Sequence, residues 1–544
     1  MVEQIYNPLG NTALSALVAA LPIIFFLLGL TLLKLKGITA ALISLGITLL
    51  VGIALFGLPW YAGAGAIGAG FLSGAWPIGW IVLMAVWLYR ISVRAGNFDI
   101  VCSSISSIST DQRIQMLLIA FAFGGFLEGA AGFGIPIAIA AALLVSLGFN
   151  PLKASLFALI ANASTGAYGA IGIPVSTAAT VGQVNLENLS ANMVPALQIF
   201  AVLIPVILVA IQDGIRGLRE VGPLALLMGL IFSGTQSLLL IVMGSPELVD
   251  IIPPLVTLVA LALIMRVWQP KNIYREPTAP SLEEVQAQAS EKHSAAQILN
   301  AWSPFVYLSV VILLWSTVMK PLFAKGGALA WTTITFPVPG IHNTMGKMVE
   351  DALKPIAVNY SWNIVGASGT AILVAALITV LTANITWKQA GEELVATWNQ
   401  LKTPILMICL VMSVANVMNY SGMTTSIALA AAATGAIFPL ISPIIGWIGV
   451  FVTGSVTNNN VLFAGLQATT AHQIGVDPTL LIAANTSGGV MGKIVSPQSI
   501  AIAAAAVDSA GQESKITSMA IKYSAILLAL VCVWTYALSL FMVH

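Results

Sequence analysis

Ten runs of roughly twenty predominantly apolar residues dominate the chain, near 11–33, 38–57, 71–89, 194–212, 223–243, 248–267, 301–319, 361–383, 402–419 and 522–541. The hydrocarbon core of a bilayer takes about 20 residues of α-helix, so each run is long enough to cross it. Backbone N–H and C=O groups in hydrocarbon find no water, and a helix bonds them within itself. These runs restrict the chain to a bundle of membrane helices. Composition agrees: 58% of the 544 residues are hydrophobic and 8% are charged, against about 25% charged in a soluble domain. A net charge of +1 offers no basic surface for nucleic acid. Cys102, Cys409 and Cys532 are scattered, with neither a metal-ligand spacing nor a disulfide framework. The first run ends at Lys34 and Lys36 and is too long for a signal-peptide core, so it reads as a retained helix.

Lys and Arg set the orientation. Lys34, Lys36, Arg90, Arg94, Arg216, Arg219, Arg266–Arg275 and Lys388 belong inside, with the N-terminus outside. Two regions, 113–181 and 437–508, are apolar yet interrupted by Gly, Pro, Asn, Ser and Thr. Arg113 and Lys153 both fall inside, so 113–150 reads as a re-entrant hairpin with its tip near "EGAAGFGIP" (128–136). The segment 152–181 then crosses as a helix broken at "ANASTG". The second half runs in the opposite sense, with a hairpin over 437–474, tip near "GSVTNNN", and a broken helix over 478–508. The polar stretch 268–300 reads as a solvated linker and 320–360 as a second long loop. Asp213 and Asp508 fall at span ends and read as solvated.

The two halves share a motif. At an offset of 323 residues Asn162, Ser164, Gly166, Gly169, Ile171, Pro174 and Ser176 meet Asn485, Ser487, Gly489, Gly492, Ile494, Pro497 and Ser499. The fold expected is an all-α polytopic membrane protein of about 12 transmembrane helices plus two re-entrant hairpins, in two inverted repeats. Residues 1–36 form a peripheral first helix, 37–219 the first repeat, 220–360 linking helices and loops, and 361–544 the second repeat. Breaks at matching positions of inverted repeats are the sequence mark of a transporter's substrate site. Free N–H groups at such breaks suit a carboxylate. The residues expected to touch substrate are Asn162, Ser164, Thr165 and Gly166 in the first break, Thr457, Asn458, Asn459 and Asn460 at the second tip, and Asn485, Thr486, Ser487, Gly488 and Lys493 around the second break. Glu128, at the first tip, is the candidate for proton coupling, because a charge at membrane depth is costly and usually functional. The plainer readings are a hairpin cap for Glu128, a structural ion pair for Lys493, and satisfaction of broken backbone for the Asn and Ser residues. "GAGAIGAG" (63–70) reads as close helix packing, since no Lys-Ser/Thr follows it.

Three stretches carry a family resemblance: "FLEGAAGFGIPIAIAAALLVSLGF" (126–149), "NVLFAGLQATTAHQIGV" (460–476) and "AANTSGGVMGKIVSPQSIAIAAAAV" (483–507). Together with "QRIQMLL" and "WQP", they make the chain similar to the lactate permease family of bacterial carboxylate/proton symporters, over essentially its whole length. The resemblance implies a multi-pass protein of the bacterial cytoplasmic membrane that carries L-lactate, with D-lactate or glycolate, alongside protons and without a cofactor. The chain departs from the family pattern at "NAST" (162–165), where the family reads Asn-Thr-Ala-Pro, and at Val456, where the family carries an acidic residue. Na⁺-coupled or exchange transport of another small carboxylate is the nearest alternative. A channel or an intramembrane enzyme is remote: His293, His342, His472 and His544 are dispersed and no HExxH or GxSxG motif occurs.

Overall fold

The computed structural model describes residues 1–132, 134–276, 279, 294–324, 326–349, 352–509 and 511–542. The tip residue Phe133, the middle of the polar stretch 268–300, His293 and His544 lie outside the described residues. Among the described residues, ten helices are long and apolar enough to cross a membrane, or eleven if the bent pair Pro151–Ser164 and Gly169–Gly182 counts as one span. The expected apolar runs all fall on helices. Two are shorter than expected: Ile252–Val267, and Ser368–Thr382 within the expected span 361–383. Three others reach 35 residues: Trp60–Arg94, Leu186–Glu220 and Trp387–Ser421.

The second long loop carries short strands outside the helical bundle. Strands Thr333–Pro337 and Asn359–Asn363 pair antiparallel, Thr333 opposite Asn363. Met345–Val349 pairs with Ala352–Pro355 on one edge and, in parallel, with Val2–Glu3 on the other. "TITFP" and "NYSWN" hold the β-branched and aromatic residues that favour strands.

Lipid-facing and enclosed helices separate by burial. In Thr12–Leu30, 39% of the most apolar window is buried, whereas in Gln112–Ala130 all of it is. Gln112–Ala130 is followed by Ile135–Ser146, with Gly132 and Gly134 in left-handed conformation (φ 59° and 84°). Ala131, Gly132 and Gly134 are buried in protein, which is the condition for non-helical backbone at membrane depth. The second pair of arms is Phe438–Thr453 and Val456–Ile474, joined through Gly454 and Ser455.

The base of the first pair is tied to the polar stretch that follows Trp268. Arg113 is fully buried and bonds Asp111 (2.8 Å), Asp213 (2.9 Å), Glu220 (2.8 Å) and the Asn272 carbonyl (2.8 Å). Glu276 receives Lys153 at 2.9 Å and the Asn150 N–H at 2.8 Å. So Asp213 is a partner of a buried arginine, not a solvated end group; a buried guanidinium needs paired acceptors. Asp508 is exposed, as expected. The segment 272–276 packs on the bundle as a strap and is not a free linker.

Candidate functional site

Asn150 and Asp477 cap the helices that follow them, each ahead of a Pro at the first helical position. From there the two matching segments diverge. Pro151–Ala161 stops in a 3₁₀ turn at Asn162–Ser164 and resumes at Gly169–Gly182 after a 47° bend. Ala170 (φ 46°), Ile171 (φ 60°) and Gly172 (φ 74°) are all left-handed. A β-branched residue there is strained, and such strain clusters at working sites. In the second half Pro478–Lys493 is one helix with no interruption. Its break comes at 494–496, before Pro497–Ala506. This corrects the sequence reading: Asn485, Thr486, Ser487 and Gly488 lie in the middle of a helix, and Lys493 precedes the break. The physical reason is helix packing. Added Cβ atoms on Gly488 and Gly492 would overlap the carbonyls of Pro443 and Trp447, and one on Gly446 that of Asn485. The glycines let Pro478–Lys493 and Phe438–Thr453 approach at backbone distance. The stretch at 63–70 does the same: a Cβ on Gly70 would meet Met412 and Ser413 backbone.

Lys493 and Glu128 meet. Lys493 Nζ lies 2.8 Å from Glu128 Oε1, and Asn162 Nδ2 donates to Glu128 Oε2 at 2.7 Å. Glu128 is 3% exposed and Lys493 9%. Gly169 makes room for the carboxylate, because a Cβ there would overlap Glu128 Oε1. The pair borders a cavity of about 210 Å³, whose wall includes Gly166, Gly169, Ser455, Thr457 and Gln498. That is smaller than the roughly 300–1,000 Å³ of sites for drug-sized ligands. A cavity of about 650 Å³ shares Ala170, Pro404, Ser455, Thr457 and Gln498 with it and reaches Asn458, Lys36 and Gly37. The cavity at the ion pair therefore adjoins the one that reaches Lys36.

The other expected residues form a second group. Asn460 Nδ2 donates to the Pro174 carbonyl at 2.9 Å; Asn460 Oδ1 accepts from Asn485 Nδ2 and Thr486 Oγ1, both at 3.1 Å. Asn459 Nδ2 lies 3.4 Å from the same oxygen. This network joins helices Gly169–Gly182 and Val456–Ile474 between the small cavity at their N-terminal ends and one of about 480 Å³ at their C-terminal ends, bordered by Gly182, Asn419, Gly465 and His472. Ser164 and Ser487 bond carbonyls of their own helices, Ala161 at 2.7 Å and Ala483 at 2.8 Å; Thr165 lies 3.4 Å from the Asn162 carbonyl. Of the expected residues, Glu128, Asn162, Gly166, Thr457 and Lys493 thus gather at the small cavity, and Asn459, Asn460, Asn485 and Thr486 at the seal beside it.

Sequence reasoning missed Asp250. It is 1% exposed and packs on Gly129, next to Glu128, where a Cβ would overlap the Asp250 backbone. Gln236 Nε2 donates to its Oδ1 at 2.9 Å. The signal was present: an acidic residue inside an expected span. Its place three residues into 248–267 made it look like an end group. In fact Ile252–Val267 starts below the surface and the turn before it folds inward.

An enclosed hairpin, a broken helix and a buried ion pair at a small cavity define a multi-pass membrane transporter. The L-lactate permease family matches the chain over residues 15–542, and the protein belongs to that family. It is 46% identical to an L-lactate permease of Halalkalibacterium halodurans, over 99% of this chain and 100% of that one. It is 44% identical to the glycolate permease GlcA of Escherichia coli, over 98% and 97%. The solved structure of Neisseria gonorrhoeae MtrF shares the fold at a TM-score of 0.50 and 14% identity, covering 93% of this chain and 96% of that one.

Proposed function

We propose that the protein carries L-lactate, with glycolate and D-lactate as related substrates, in symport with a proton. The observation that carries this reading is the Glu128–Lys493 pair at the small cavity. The names of the family and of its relatives supply the substrate class. As it stands the pair has no net charge. A substrate carboxylate that takes Lys493 Nζ displaces Glu128 and leaves the site one unit negative. Charge in the membrane interior is costly. One proton on the displaced Glu128 restores neutrality, which couples one proton to one monocarboxylate. Asn162, bonded to Glu128, holds the carboxylate at the first break; Gly166 and Thr457 line the space left for the substrate. The small cavity at the pair shares Ala170, Pro404, Ser455, Thr457 and Gln498 with the one that reaches Lys36, so this conformation faces inward by the charge rule. Exit to the other side requires the Asn460–Pro174 contact to open.

The test is uptake of labelled L-lactate into proteoliposomes under an inward proton gradient without Na⁺. Accumulation above equilibrium that an uncoupler abolishes is expected, and Glu128→Gln should remove it. Asn458 Oδ1 and Asn459 Oδ1 are buried oxygens without a donor, and oxygens of this kind favour a second reading in which Na⁺ is the coupling ion. Uptake that needs Na⁺ and ignores the proton gradient would replace the first reading by the second.

A further inference from the structure

Glu128 opens toward the inner side, but the chain packed behind it leads the other way. Helix Gly222–Met243 is followed by a turn, 244–251, before Ile252–Val267 begins. The first part of that turn, with Ser245 and Glu247, borders a separate cavity of about 470 Å³ that also includes Glu187 and Lys320. The charge rule puts this cavity on the outer side. The last part of the turn is buried against the first hairpin through the contact of Asp250 with Gly129. Eight residues thus connect an outer cavity to the backbone next to Glu128.

Asp250 lacks a hydrogen bond that a proton would supply. Gln236 Nε2 faces two acceptors, Asp250 Oδ1 at 2.9 Å and the Val249 carbonyl at 3.3 Å. Those acceptors fix the orientation of the amide, since the flipped group would set its oxygen against both. Asp250 Oδ2 and Gln236 Oε1 are then both buried without a donor. An ionised Asp250 would be a buried charge with one hydrogen bond, beside two unsatisfied acceptors. A proton on Oδ2 removes the charge and turns an acceptor without a donor into a donor. The titratable and charged groups that act on Asp250 are Glu128, Lys493 and Tyr168, with Glu247 earlier on the same turn.

We infer that Asp250 holds a proton in this conformation and relays it between the outer cavity at Glu247 and the Glu128 carboxylate, by a route separate from that of the substrate. The inference rests on the proton-coupled reading of the transporter. In the relay the Oδ2–H bond of Asp250 breaks as an O–H bond forms on Glu128. Asp250, now an anion, regains a proton from the outer cavity, so one proton moves inward and nothing is oxidised or reduced.

Asp250→Asn keeps the size of the side chain and an acceptor for Gln236 Nε2 but cannot carry a proton. In proteoliposomes this variant should lose at least nine-tenths of the accumulation driven by a proton gradient and keep the exchange of internal for external lactate, which moves no net proton. Accumulation at the wild-type level overturns the inference, and so does loss of exchange together with accumulation. An infrared measurement on the wild-type protein guards against a variant that does not fold. Protein carrying isotope-labelled aspartate should show a shifted C=O stretch of a protonated carboxyl at neutral pH. Its absence overturns the inference on its own. If the wild-type protein itself accumulates nothing under a proton gradient, the coupling reading fails instead, and the infrared band separates that failure from this one.

Discussion

The segments beginning at Asn162 and Asn485 share a motif in one register, yet the first breaks at its opening residues and the second only at 494–496. In the first, Asn162–Ser164 closes a 3₁₀ turn and Ala170–Gly172 runs left-handed. In the second, the counterparts of residues 162–169 sit in the unbroken helix Pro478–Lys493, and the break falls at 494–496, opposite 171–173 of the first half. Gly169 and Gly492 are counterparts, and their neighbours show the divergence. Gly169 leaves room for the Glu128 carboxylate, whereas Gly492 leaves room for the Trp447 carbonyl of the neighbouring helix. A shared motif makes room for a buried carboxylate in one half and for a neighbouring helix in the other. The halves complement each other at one point, since the second supplies the cation and the first the carboxylate and its amide partner.

That joint is where the largest effect is expected. Lys493→Met leaves Glu128 buried with Asn162 as its remaining partner. Breaking a buried pair from one side costs about 3–5 kcal/mol, so the variant should unfold at markedly lower temperature in detergent and transport nothing. Glu128→Gln combined with Lys493→Met should regain most of the lost stability and none of the uptake, because two neutral groups need no pairing. A double variant as unstable as Lys493→Met would show that the joint is held by packing around the lysine stem and not by charge.

The glycine counterparts come next. Gly492→Ala drives a methyl into backbone, which an α-helix pair can relieve only by separating. Overpacking costs roughly 1–3 kcal/mol, occasionally more; a lower thermal midpoint and a lower yield of monodisperse protein are expected. Gly169→Ala meets a side chain that can move, so its yield should stay near wild type while lactate uptake falls by about tenfold or more, the equivalent of ~1.4 kcal/mol. Equal losses of folded protein in both variants would erase the distinction between the halves.

The membrane spans were legible because hydropathy and the length a bilayer demands are local properties, as in 11–33 or 223–243. The meeting of Glu128 with Lys493 was legible in part, since two rare charges in apolar surroundings invite pairing. The position of the second break was not. Glycine permits a turn and also permits close approach, and "NTSGG" reads the same for either. The choice was made by Phe438–Thr453, which lies against it in space. Asp250 and Asp213 were hidden for a related reason. Each stands near the end of an apolar run, where sequence predicts water, and each is covered by a segment remote in sequence: Asp250 by the first hairpin, Asp213 by Arg113. The strand pair at 333–337 and 359–363 depended on a partner about two dozen residues away, and the apolar run 361–383 absorbed its second strand.

The smallest contrast lies between the two asparagines that open the shared motif. Asn162 donates to a carboxylate that is expected to change its proton, whereas Asn485 donates to Asn460, which has none to change. Asn162→Ala removes one side-chain hydrogen bond and Asn485→Ala two, since Asn485 Oδ1 also accepts from Gln467 Nε2 at 3.3 Å, each bond being ~1 kcal/mol of net stability. Both thermal midpoints should therefore fall, that of Asn485→Ala somewhat more. The dependence of initial uptake on pH should distinguish them. A bond to the ionised form of Glu128 sets how readily that group takes a proton, so Asn162→Ala should displace the pH profile while Asn485→Ala lowers its height and leaves its position. The seal at Asn460 also predicts a kinetic signature for Asn485→Ala. A weakened contact between Gly169–Gly182 and Val456–Ile474 opens more easily toward the outer side, so the apparent affinity for external lactate should rise even as the folded protein becomes less stable. If both variants moved the profile equally, the two asparagines would share one role, and the division of labour between the halves would begin only at the glycines that follow.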